Sequence, residues 1–207
     1  MSLGLSKYLK DLRNEAHRFE RTDINNKVST SFWSRNQRRI LCLIPTIAML
    51  FFLKEGFSTD FVMYASTALS ILIGLFTTAI IFIVDKYRPI ENENPNSREK
   101  LHNNQAYNYT KQFANITGYN IVLCVFALVA LAFSALFEKL FSMNICQYYF
   151  YWHDINFVDS AVNVAVVSAV ITQRFLVLYW LASIVYNTLY AISSMVKYIT
   201  VKIDRTC

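Results

Sequence analysis

The sequence predicts an all-α polytopic membrane protein: a four-transmembrane-helix bundle preceded by an amphipathic cytoplasmic helix. Three observations lead there. Of the 207 residues, 55% are hydrophobic and only 16% are charged, where an average globular domain is about a quarter charged. Apolar residues gather in long runs, and a spanning helix needs about 20 of them. Finally, 17 of the 20 Lys and Arg residues fall in three segments that alternate spans would leave on one side.

The first segment, 1–39, is polar and basic, with no short apolar core and cleavage site of the signal-peptide kind. Leu5, Leu9, Leu12, Ala16 and Phe19 recur at alternating spacings of four and three, which is one face of a helix. Basic residues Lys7, Lys10, Arg13, Arg18 and Arg21 lie mostly off that stripe, mixed with Asp11, Glu15 and Glu20. Such a helix lies on the inner leaflet or packs on a cytoplasmic protein or a second copy; the mixed charges favour protein contact. Phe32, Trp33, Arg35, Arg38 and Arg39 then anchor the chain at the membrane interface.

The transmembrane domain is expected over 40–196, with spans at about 40–57, 61–84, 119–138 and 175–196. Between the second and third spans lies a cytoplasmic loop, 85–118. Pro89 and Asn94-Pro95 make its first part irregular, and Ser97 caps a new helix that runs into span three. An outer aromatic segment, 139–174, precedes the fourth span, and 197–207 is a cytoplasmic tail.

The start of the fourth span is open. Counting back from Lys197 places Arg174 at the outer interface. Residues 158–173 are then an outer helix, a re-entrant piece or an extension of the span. A span over 160–182 would instead bury Arg174 near the midplane, at about 2.5–3.5 kcal/mol. The inner side holds 17 basic and 9 acidic residues and the outer side 3 and 5. The net charge of +6 therefore enforces topology, and direct nucleic-acid binding is not expected.

Span two carries Ser66, Ser70, Gly74 and Thr78 every fourth residue. A small-residue stripe lets another helix backbone come close; the same hydroxyls would suit a pore wall. Ala161, Ala165 and Ala169 repeat the spacing, and Asn187 is the amide expected to bond a neighbouring helix. Tyr148, Tyr149, Phe150, Tyr151 and Trp152 form an aromatic run suited to an outer headgroup belt or a sensing surface.

No nucleophile set, nucleotide loop or zinc spacing is visible, so no catalytic residues, metal or cofactor are expected. His153 and Asp154 are adjacent, and adjacent side chains diverge. A lipid-acting enzyme built on them ranks third. In size, four-span topology, the compact segment STALSILIGLFTTAIIF (66–82) and the lack of a catalytic set, the chain loosely resembles small membrane components of bacterial antiphage systems. These include the Kiwa-type membrane subunit and the transmembrane effectors of nucleotide-signalling operons. The resemblance implies a non-enzymatic, oligomeric inner-membrane sensor or effector with both termini cytoplasmic. Its partners would be the lipid bilayer, further copies of itself and a cytoplasmic protein. The alternative is a pore-forming channel or membrane-permeabilising effector.

Overall fold

The computed structural model describes residues 4–19, 32–53, 55–86, 97–144 and 157–203, and every regular element among them is a helix. In chain order these are α1 (Leu5–Phe19), α2 (Phe32–Phe52), α3 (Thr59–Lys86), α4 (Ser97–Leu136), the single turn α5 (Glu138–Phe141) and α6 (Phe157–Ile203). Three of them are long and apolar enough to cross a membrane: α3 over Thr59–Ile83, α4 over Asn104–Leu136 and α6 over Asn163–Thr200. At 1.5 Å per residue the shortest of these stretches reaches about 38 Å, more than a hydrocarbon core of about 30 Å.

Local chemistry sets the boundaries. The polar run RNQRR is already helical in α2, so this helix begins before the apolar stretch that starts at Ile40. Pro45 lies inside α2 and has no N–H to give the Leu41 carbonyl. One residue on, the Thr46 hydroxyl donates to the Cys42 carbonyl at 2.7 Å. The expected first span reached residue 57, but α2 stops at Phe52 and Gly56 turns the chain at φ +86°. A β-carbon at Gly56 would run into the Phe141 carbonyl and come within 3.0 Å of the Arg174 Nη2. Only glycine combines that backbone with that closeness.

Ser58 starts α3 by accepting the Phe61 N–H on its hydroxyl at 3.2 Å, with Asp60 in the first turn. As expected, α4 starts at Ser97, and its polar first half runs without a break into its apolar second half. The last apolar stretch is one helix, α6, of 47 residues, or about 70 Å. Residues 157–173 are thus an extension of the last helix rather than a separate outer or re-entrant piece.

The chain divides into two compact units. One contains 1–38, 73–122 and 185–207; the other contains 39–72 and 123–184. In the first unit Ile83 of α3, Phe113 and Ile116 of α4 and Ala191 of α6 form a buried cluster, flanked by Ala79, Ile80, Tyr190 and Met195. In the second unit Cys124, Ala127 and Leu131 of α4 and Val170, Val177 and Leu178 of α6 are buried, and Phe126 lies 6.0 Å from Trp180.

Large apolar side chains crowd the surface as well as the interior, and a few polar ones are buried beside the apolar core. Thr117, Asn120, Arg174 and Asn187 are buried, while Ile44, Phe51, Phe52, Tyr64, Leu136 and Leu189 are each more than 60% exposed. Soluble surfaces do not carry large apolar side chains at that density.

Candidate functional site

Each unit contains a polar site where an apolar interior would have sufficed. In the second unit the site is built on Arg174, which is 0% exposed. Its Nη1 donates to the Leu53 carbonyl at 3.2 Å, and its Nη2 donates to Phe141 at 2.9 Å and Met143 at 2.7 Å. Leu53 directly follows α2, and Phe141 closes α5. Helix ends leave carbonyls unpaired and carry the negative end of the dipole. A guanidinium with five donors in a fixed fork suits such a cluster. Arg174 thereby ties α6 to the end of α2 and to the segment after α4.

Next to it, the Gln173 amide donates to the Ser134 hydroxyl and to the Ala130 carbonyl at 3.4 Å. The Ser134 hydroxyl in turn donates to Ala130 at 3.1 Å. A groove of about 110 Å³ in this unit is lined by Phe57, Thr59, Val62, Ser134, Glu138 and Ser142. Thr59 donates to Glu138 across it at 3.3 Å.

The first unit holds an amide clasp between α4 and α6. Asn187 Nδ2 donates to Asn120 Oδ1 at 3.4 Å, and Asn120 Nδ2 donates to the Thr188 hydroxyl at 3.0 Å. Both asparagines are 2% exposed or less. Asn187 was expected to bond a neighbouring helix, and its partner is Asn120. That residue stands at the edge of the expected third span, so its sequence position gave no cue to a buried role.

Also in the first unit, α1 docks on the rest of the protein. Ala16 is buried, and Leu12 Cδ1 lies 3.8 Å from where a β-carbon at Gly118 would sit. Beside them the Arg38 guanidinium bonds the His17 ring and lies 5.5 Å from the centroid of Tyr119. His17 meets Tyr119 edge-on at 5.5 Å. Leu9 and Leu12 are half-buried. The side chains of Leu5 and Phe19 lie outside the described residues.

The small-residue stripe faces outward. Ser66 is half-buried, while Ser70, Gly74 and Thr78 are exposed. A β-carbon at Gly74 would meet nothing within 4 Å. Ser70 donates to the Ser66 carbonyl and Thr78 to the Gly74 carbonyl, both at 2.9 Å. These hydroxyls spend their hydrogens inside α3, so the stripe presents a smooth surface with few polar demands of its own. Tyr148, Tyr149, Phe150, Tyr151 and Trp152, with His153 and Asp154, lie outside the described residues.

No protein-family model, curated protein or solved structure matches this chain.

Proposed function

We propose that the chain is a non-enzymatic, oligomeric membrane subunit that senses or disturbs the bilayer and couples this to a cytoplasmic protein. The observation that carries the reading is the apolar surface: Ile44, Phe51, Phe52, Leu136 and Leu189 are each more than 60% exposed, around a core in which Asn, Thr and Arg side chains join apolar ones. In lipid the apolar face costs nothing, and the buried polar groups hold helices together.

On this reading α2 is a fourth span. Its apolar part is short, but Ile44, Ile47, Phe51 and Phe52 are exposed in the same way as the apolar faces of α3, α4 and α6. Four spans with the Lys/Arg-rich segments inside put both termini in the cytoplasm. The setting of a bacterial inner membrane and an antiphage operon rests on the likeness in size and segment pattern alone. Copies associate through the exposed stripe of Ser70, Gly74 and Thr78, which small residues make approachable.

The pore reading draws on the same stripe, since several copies could turn Ser70 and Thr78 toward a shared lumen. Ion flux through liposomes containing the purified protein separates the two. Conductance that Thr78→Val reduces would replace the sensor with a channel; sealed liposomes favour the sensor. For the cytoplasmic side, the protein is purified with and without residues 1–21. Loss of a co-purifying soluble protein with normal membrane insertion is the expected result. Retention of that protein would remove α1 as its docking element.

A further inference from the structure

We propose that the second unit holds one membrane phospholipid with an ethanolamine headgroup, its head and one acyl chain lying on either side of Phe141. Two grooves of this unit meet there. The polar one, of about 110 Å³, has Thr59, Glu138 and Ser142 in its wall. The apolar one, of about 370 Å³, is walled by Ala130, Phe133, Phe137 and Leu140. Phe141 lines both. Arg174 holds the Phe141 carbonyl at 2.9 Å, so α6 fixes the partition between them.

The depth of the two grooves follows from the helices. The apolar stretch of α3 starts at Thr59 and that of α4 ends at Leu136. Close to both ends, the Thr59 hydroxyl donates to Glu138 at 3.3 Å. The polar groove therefore sits where α3 and α4 leave the hydrocarbon, at headgroup level. The apolar groove extends back along α4 from Phe137 to Ala130, about 10 Å toward the hydrocarbon. That is the course of an acyl chain. Phe133 and Phe137 stack at 6.4 Å and are each more than half exposed, so the trough is apolar surface that a lipid chain covers.

Charge complementarity selects the head. Glu138 supplies a carboxylate, and the Thr59 hydroxyl takes one of its roughly four acceptor positions. Ser142 adds a hydroxyl oxygen to the same groove. A primary ammonium brings three donors to such a set, whereas choline brings none. An anionic head without an amine would meet Glu138 as a like charge. Lys139, exposed on the same turn, supplies a cation for the lipid phosphate. The inference rests on α3 and α4 crossing the bilayer, and names the lipid that the membrane subunit would recognise.

The test is native mass spectrometry of the full chain purified in detergent micelles. Phosphatidylethanolamine, phosphatidylcholine and phosphatidylglycerol with the same acyl chains are each titrated in. Phosphatidylethanolamine is expected to be retained about tenfold more tightly than either of the others, the worth of one hydrogen bond to a charged group. Glu138→Gln should bring it down to the level of phosphatidylcholine. Ala130→Phe, which fills the trough, should weaken all three. Equal retention of the three lipids overturns the proposal, and so does a preference that survives Glu138→Gln. The unaltered protein gives an independent answer with N-methylated ethanolamine lipids. Each methyl group removes a donor, so retention should fall along the series, and a flat series overturns the site. Free phosphoethanolamine should leave the lipid in place; displacement would make the groove one for a soluble amine. Dimers that exclude lipid would give the trough to a second copy of the chain. Carbonate extraction of membranes separates the site from the span assignment on which it rests. A chain that washes off ends both, whereas a chain that stays but shows no headgroup preference ends only the site.

Discussion

The two units solve the problem of a buried polar group in opposite ways. In the second, Arg174 is a permanent charge satisfied by main-chain carbonyls at Leu53, Phe141 and Met143. In the first, Asn120, Asn187 and Thr188 are neutral and satisfy one another through side chains. The difference follows from where each site falls along its helices. Leu53 and Phe141 sit at helix ends, where carbonyls have no intrahelical partner. Asn120 and Asn187 sit well inside α4 and α6, where the backbone is already paired and only a side chain can answer a side chain. Main-chain carbonyls answer a buried side chain where helices stop, and other side chains answer it where helices continue.

Removing the charge should hurt most. Arg174→Met takes the donor from the Leu53, Phe141 and Met143 carbonyls and is expected to lower stability by about 1.5–3 kcal/mol, read as thermal unfolding in detergent. Arg174→Lys keeps the charge but loses the fork, and should recover only part of the loss. If Arg174→Met costs less than the amide substitutions below, the contrast between the units collapses.

Gly56→Ala comes next. It forces a side chain into a left-handed backbone, at about 1–2 kcal/mol, and pushes a β-carbon against the Phe141 carbonyl. A loss of that size or more is expected, together with looser binding of Arg174. A neutral result in the same unfolding assay would mean that the turn is not rigidly held.

The amide clasp is worth less. Asn187→Leu or Asn120→Leu should each cost about 1 kcal/mol. The double substitution should cost little more than either single one, because both remove the same interaction. Full additivity would show that the two amides work independently. Smallest of all for the fold is Gly74→Leu, expected within about 0.5 kcal/mol of the parent, since nothing lies within 4 Å of the added β-carbon. Its effect should appear in particle size, as a smaller assembly. An unchanged size would remove the α3 stripe from the oligomer.

Much of the helical plan was legible along the chain. The helices expected to stop near DKYRP and to resume from Ser97 are described over Thr59–Lys86 and Ser97–Leu136. The every-fourth-residue stripe on α3 could be seen without coordinates, because helical periodicity is local. Its outward direction could not be seen, since that depends on which face the other helices take. The first helix was expected to offer Leu12 and Ala16 to a membrane or a partner, but within the protein itself this face meets α4. Amphipathicity states that a face will be covered, not by what.

Arg174 marks the boundary most clearly. Counting apolar residues from Lys197 places it at the outer end of the last span but names no partner for it. Its actual partners come from Leu53, Phe141 and Met143, far away in the sequence and contributing only their backbones. No residue-type pattern encodes a carbonyl, because every residue has one. The sequence by itself determined the helical character of the described residues, the apolar runs over α3, α4 and α6 within a four-span reading, and the separation of charge from those runs, all of which depend on composition and short-range spacing. The tertiary structure alone decided which polar groups meet. Asn120 finds Asn187, Arg38 finds His17 and Arg174 finds the carbonyls of Leu53, Phe141 and Met143, because packing within each unit joins residues far apart along the chain.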